Sequence, residues 1–323
     1  MMTRFASQGE QMANIKWQYA EHWRVPSARG PVNHYTSPRH MDEFVKQLVA
    51  VGFTGLGIFA WNLHALQAMF GSVKAYKNFI RDRGMEKIVD LFWASPHAFP
   101  NAMPHDRASH DAIFRGLEYF VRSAEGLEVE NLVVMPTNTH YGMEPITTAK
   151  LEIMAELWNR VGKMAHSHGM KLGCHHEFWG GIRTMEQIDY FYAHTDPQYV
   201  HLFIDTAQHT IASVDPVDLY VKYHDRVNGF HLKDTHHVDR VGDYRAKPDP
   251  ELVGSTTPRW FHEMGTPEGL VDFPALMAAL KEFGYQGWLG VEHDKAPIGG
   301  GSYPESTAIS MWYARNVLSR IYS

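Results

Sequence analysis

The sequence is poor in cysteine, in long apolar runs and in clustered positive charge. Its single cysteine, Cys174, cannot build an internal disulfide framework or a cysteine zinc cluster. Stability must therefore come from an ordinary buried core, and a reducing compartment is expected. No apolar stretch approaches the ~18 residues of a bilayer span. Residues 1–17 are polar and lack the continuous apolar segment of a secretory signal, so a cytoplasmic location is expected. Met12 offers an alternative start, and residues 1–14 read as an N-terminal tail. Thirty Lys+Arg against 36 Asp+Glu give a net charge of −6, which opposes a nucleic acid or an anionic membrane as partner. No Pro/Gly/Ser linker or low-complexity segment divides the chain, so residues 15–323 read as one domain. What is abundant is histidine, with 21 residues, and a 44% hydrophobic fraction sufficient for a large core.

Short apolar runs alternate with amphipathic segments along the whole chain. Strands are predicted over 15–20, 55–60, 87–93, 131–136, 171–177, 200–205, 227–233 and 288–292. Helices are predicted over 37–51, 63–81, 105–123, 148–168, 184–194, 216–224, 273–283 and 305–321. Eight such units in an α/β chain of this length predict a closed (β/α)8 TIM barrel. Its connection between strands seven and eight, residues 235–271, is unusually long, as binding loops often are.

In such barrels the active site lies at the C-terminal strand ends. Strands five to eight end on Glu177, Asp205, His231 and Glu292, spaced 28, 26 and 61 residues apart. Neighbouring strand ends can surround one ion, and three carboxylates with one imidazole suit Mn2+ first, then Mg2+ or Co2+. Period-two alternation aims His175 with Glu177, and Lys233 with His231, toward the same opening. Lys233 is a candidate for a substrate oxygen, with a rim lysine as the plainer alternative. His176 and Cys174 are expected to face the helices. Trp61, Trp93, Trp179 and Trp260 are candidates for stacking on a sugar, or else ordinary packing. The run Gly299–Gly301 lacks the P-loop pattern and reads as a loop.

The ordered set Glu177, Asp205-Thr-Ala-Gln-His, Gly229-Phe-His-Leu-Lys-Asp234 and Gly287-Trp-Leu-Gly-Val-Glu292 resembles the xylose isomerase-like superfamily of sugar phosphate isomerases and epimerases. The resemblance is clearest over 171–295 and elsewhere rests on β/α rhythm alone. It implies that Glu177, Asp205, His231 and Glu292 bind one divalent metal, with Glu177 and Glu292 also exchanging the proton on carbon. It implies a small carbohydrate substrate and a homo-oligomer, or a hetero-oligomer with a small subunit in the C-glycoside deglycosidase branch. The ketose 3-epimerases carry further residues that differ here: Gln208 replaces a histidine, Arg183 a glutamate, and His237 an arginine. Gln208, Arg183, Lys233, His175 and Trp93 are therefore the substrate-binding candidates. The His-Leu-Lys-Asp stretch is similar to the inosose dehydratase branch. Proton abstraction α to a carbonyl ends in isomerisation or epimerisation on reprotonation, and in a lyase reaction if a β-group leaves. Isomerase or epimerase is the first expectation, lyase the second; a metal-dependent endonuclease or a non-catalytic carbohydrate-binding barrel are remoter ones.

Overall fold

The computed structural model describes residues 15–20, 25–27, 30–32, 37–93, 102–138, 145–239, 261–293 and 303–322. The strands are β1 (Lys16–Ala20), β2 (Val25–Ser27), β3 (Gly30–Val32), β4 (Gly55–Phe59), β5 (Lys87–Trp93), β6 (Asn131–Val134), β7 (Lys171–His175), β8 (Val200–Asp205), β9 (Val227–Leu232) and β10 (Trp288–Glu292). Eight of them close into a parallel ring in the order β1-β10-β9-β8-β7-β6-β5-β4. This is the expected (β/α)8 barrel. The remaining two, β2 and β3, pair as an antiparallel ribbon that sequence reasoning did not foresee.

Local signals explain where the helices begin. Ser37, Thr147, Thr184, Asp215 and Asp272 each accept a backbone N–H of the following first turn, satisfying donors that have no partner inside the helix. Two expected helices are interrupted. The segment 63–81 is two helices, Leu63–Phe70 and Val73–Arg81, because Gly71 turns left-handed at φ 78° and Ser72 caps a new start. The last helix runs Tyr303–Tyr313, opens into a π-helical turn over Ala314–Leu318, and resumes at Ser319–Tyr322. Among the described residues, no helix is long and apolar enough to cross a membrane.

The main core lies between ring and helices, where Val45, Leu48, Trp93, Leu132, Trp158, Leu202, Phe230 and Leu289 are all buried. Each large apolar side chain withdrawn from water contributes about 1.5–3 kcal/mol. The barrel interior is different. Near its N-terminal end, Asp90 accepts hydrogen bonds from Gln18 Nε2 at 2.5 Å and from Asn131 Nδ2 at 2.8 Å, and Asn228 Nδ2 donates to Asn131 Oδ1 at 3.0 Å. Glycine makes room for this polar layer: a Cβ on Gly173 would lie 2.7 Å from Asn228 Oδ1. One step higher, a Cβ on Gly229 would strike the Phe203 ring at 2.4 Å.

After β9 the chain forms a bridge, with Asp234 N donating to His262 O at 2.9 Å and His262 N to Asp234 O at 2.8 Å. Residues 240–260 of the long connection, the 1–14 tail, Trp260 and Gly299–Gly301 lie outside the described residues.

Candidate metal centre

Four neighbouring strands deliver His175, Asp205, His231 and Glu292 to one point at the C-terminal opening of the ring. Each offers one donor atom, and these four atoms lie within 4.8 Å of one another. His175 Nε2 is 3.0 Å from Asp205 Oδ2, and His231 Nδ1 is 3.2 Å from Glu292 Oε2 and 4.0 Å from Asp205 Oδ2. All four residues are buried. The His231 Nδ1 atom has no hydrogen-bond partner, and neither has His175 Nδ1. Buried imidazole nitrogens of this kind are normally satisfied, and a cation with nitrogen and oxygen ligands would do so here. The donor set fits a divalent ion.

The group differs by one member from the expected set. His175 stands where Glu177 was expected, and Glu177 lies beside it, with Oε1 3.3 Å from His175 Nδ1. The reason is that β7 ends at His175, so strand alternation no longer directs side chains beyond it. At Glu177 the chain instead turns, with its carbonyl accepting from Gly180 N at 2.8 Å. The second carboxylate oxygen, Oε2, is buried without a hydrogen-bond partner.

Lys233 completes the cluster. Its Nζ lies 2.7 Å from Asp205 Oδ2 and touches Glu292 Oε2, with the ring of Phe261 4.7 Å away. Charge is thus concentrated out of water. Burial works against ionisation of Asp205, yet Lys233 and His175 outweigh it and hold that carboxyl below the usual range. Burial likewise opposes the charged form of His175, but Asp205 and Glu177 outweigh it and push the imidazole up to about 10. For Glu177 burial dominates and the carboxyl is raised.

The other candidates are placed as follows. Gln208 is buried on the short helix Thr206–Ile211 after β8, its Oε1 accepting from Phe178 N at 3.1 Å, so it braces the turn after β7. Arg183 pairs with Asp239 at 2.8 Å and ties that turn to the segment after β9. Trp93 is corrected by its burial: it is fully enclosed in the main core, on the helix side of β5. Its neighbour Phe92 lies on the opening side, with its ring 5.4 Å from His175 and 5.8 Å from His231. Alternation from the inward-facing Asp90 could have identified Phe92. Cys174 and His176 do face the helices, where His176 Nε2 meets Tyr192 Oη at 3.1 Å.

With this geometry in place, the relationships of the chain become clear. Residues 45–311 match the xylose isomerase-like TIM barrel family, and the chain belongs to it. Among curated relatives, the inosose dehydratase of Salmonella agona (strain SL483) is 32% identical over 146 residues, 45% of this chain and 47% of that protein. The chain thus spans about half the length of that relative. Among solved structures, the probable 3-DHS dehydratase AsbF from Bacillus anthracis, described as involved in petrobactin synthesis, has a TM-score of 0.71 at 11% identity, covering 94% of this chain and 99% of that one. The IOLI protein with a binding zinc atom gives 0.68 at 16% identity, covering 95% and 99%. At these identities the structural likeness is one of fold.

Proposed function

We propose that this protein is a divalent-metal-dependent enzyme that removes the proton α to the carbonyl of a keto-sugar or keto-cyclitol and then expels a β-hydroxyl, a lyase reaction of the inosose dehydratase kind. The observation that carries it is the buried four-donor group with an unpartnered carboxylate oxygen beside it. The relatives named dehydratases favour elimination over the isomerisation that the sequence suggested first.

His175, Asp205, His231 and Glu292 would hold the ion, with Mn2+ the first choice and Zn2+, Mg2+ or Co2+ as alternatives. When bound, it would supply polarisation of the carbonyl and stabilisation of the negative charge left as the α-proton departs. Glu177 takes that proton at Oε2, the oxygen without a hydrogen-bond partner. Burial raises its carboxyl, which brings a base closer to the pH at which proton transfer is most effective. Glu292, across the cluster, is the partner that returns or donates a proton. Phe92 presents a ring to the apolar C–H face of the substrate, and Arg183 and Gln208 fix the turn that carries Glu177.

The test is proton NMR in D2O with a panel of keto-inositols, keto-sugars and 3-keto-glycosides, using metal-loaded protein. Loss of a hydroxyl as water from a keto-cyclitol is the expected outcome. Deuterium at the α-carbon with the leaving group retained would return the reading to isomerase or epimerase. No exchange with any of the panel would overturn proton abstraction itself.

A further inference from the structure

Lys233 is buried between two carboxylates, and its place there has a consequence for the metal. Asp205 and Glu292 face each other out of water, and two like charges in such a setting require a neutralising partner. The residue directly after β9, between their strands, provides one: the Lys233 ammonium, 2.7 Å from Asp205 Oδ2 and in contact with Glu292 Oε2. These same two oxygens face the imidazoles, Asp205 Oδ2 at 3.0 Å from His175 Nε2 and Glu292 Oε2 at 3.2 Å from His231 Nδ1. They are therefore the oxygens that a metal ion would need.

On the reading that this group binds a divalent ion, we propose that Lys233 is an internal place-holding cation, which keeps the two carboxylates together in the ion-free protein and is displaced toward the opening when the ion binds. An ammonium and a divalent ion cannot share the same pair of oxygens without close repulsion in a poorly screened interior. The ammonium pairs with the carboxylates and leaves the His231 Nδ1 atom without a hydrogen bond, whereas an ion would serve imidazoles and carboxylates together. A lysine is suited to this exchange because its charge rides on four rotatable bonds. The Phe261 ring, 4.7 Å from Nζ, offers the displaced ammonium a second resting place on a π face. Lys233 is thus a positioning residue for the ion, and on displacement its ammonium becomes available to a substrate oxygen.

Two measurements on the full chain test this after chelator treatment. In the first, Mn2+ binding is followed by calorimetry for the wild type and Lys233→Met. Removing a competitor for the site is expected to tighten binding by about tenfold to a hundredfold. In the second, wild-type protein is acetylated with an N-hydroxysuccinimide ester with and without Mn2+, and modified peptides are quantified by mass spectrometry. Labelling of Lys233 is expected to rise several-fold with Mn2+, while the exposed Lys163 stays constant. Unchanged or reduced Lys233 labelling overturns displacement, even if Lys233→Met binds more tightly, because lost charge alone would do that. Unchanged or weaker binding by a folded Lys233→Met overturns competition. Should that variant fail to fold without metal, Lys233→Gln replaces it and the labelling of wild type still decides. Binding by the variant but not by wild type supports a tightly held place-holder. Binding by neither overturns the metal-site reading, and the proposal with it.

Discussion

The barrel interior holds two buried polar layers that differ in one respect. Near the N-terminal end, Gln18, Asp90, Asn131 and Asn228 are joined by side-chain hydrogen bonds, mostly amide to amide or amide to carboxylate. At the C-terminal end, His175, Glu177, Asp205, His231, Lys233 and Glu292 are all ionisable, and the atoms without a hydrogen-bond partner there belong to imidazoles and a carboxylate, whereas in the lower layer they are the neutral amide oxygens of Gln18 and Asn228. Amides suffice to fill a hole. Ionisable groups with unsatisfied atoms are retained at a cost to stability, and that is the pattern expected of a site awaiting a ligand.

The largest effect expected is at the upper layer. Glu177→Gln should lower kcat by about 10²- to 10⁴-fold, the usual contribution of a general base, while thermal unfolding shifts by only a few degrees. Full activity in this variant would place the base elsewhere and blur the contrast between the layers. Next comes the ion. Chelator-treated protein should lose activity and unfold at a lower temperature, and with Mn2+ at about a thousand times Kd should regain about 4 kcal/mol. An unmoved melting curve would show that the upper layer holds no metal.

The lower layer should respond to pH rather than to ligands. Burial raises the Asp90 carboxyl from 3.8 to about 6. The native state therefore holds this proton more tightly than the unfolded chain, so its favourable contribution is complete below pH 4 and is lost as pH rises through 6. The loss is about 3 kcal/mol, at 1.36 kcal/mol per unit. Asp90→Asn removes that dependence, and a turned Gln18 amide could accept from the new side chain through Oε1, which has no partner now. The variant should be more stable than wild type at pH 8, by up to that amount, and no more stable at pH 4. Equal stability at both would show that Asp90 carries no buried charge. The smallest effect concerns the tie between turns: Arg183→Ala and Asp239→Ala should show a coupling of about 1 kcal/mol in a double-mutant cycle of denaturant unfolding.

The fold was largely legible because its signal is repeated eight times. All eight barrel strands fall within or close to the predicted runs, since alternating apolar strands and amphipathic helices leave few other architectures. The losses were local. A single left-handed glycine divided a helix at Gly71, and Thr206–Ile211, capped by Asp205, is too short to show a period. At the site, Asp205, His231 and Glu292 lie at the ends of their strands and Lys233 follows β9 directly, so strand geometry alone brings these four together. Glu177 lies beyond His175, where strand alternation stops, and parity in β5 counted from Asp90 turns Phe92 rather than Trp93 toward the opening.

The ring closes where β1 fits between β10 and β4, with Ala20 opposite Glu292. The fourth donor therefore sits on the strand held between β9 and the first barrel strand, where the ring closes. His175, Asp205 and His231 come from β7, β8 and β9, and the group is complete only with β10, the strand that meets β1. The four-donor group would then serve as a record that the ring has closed.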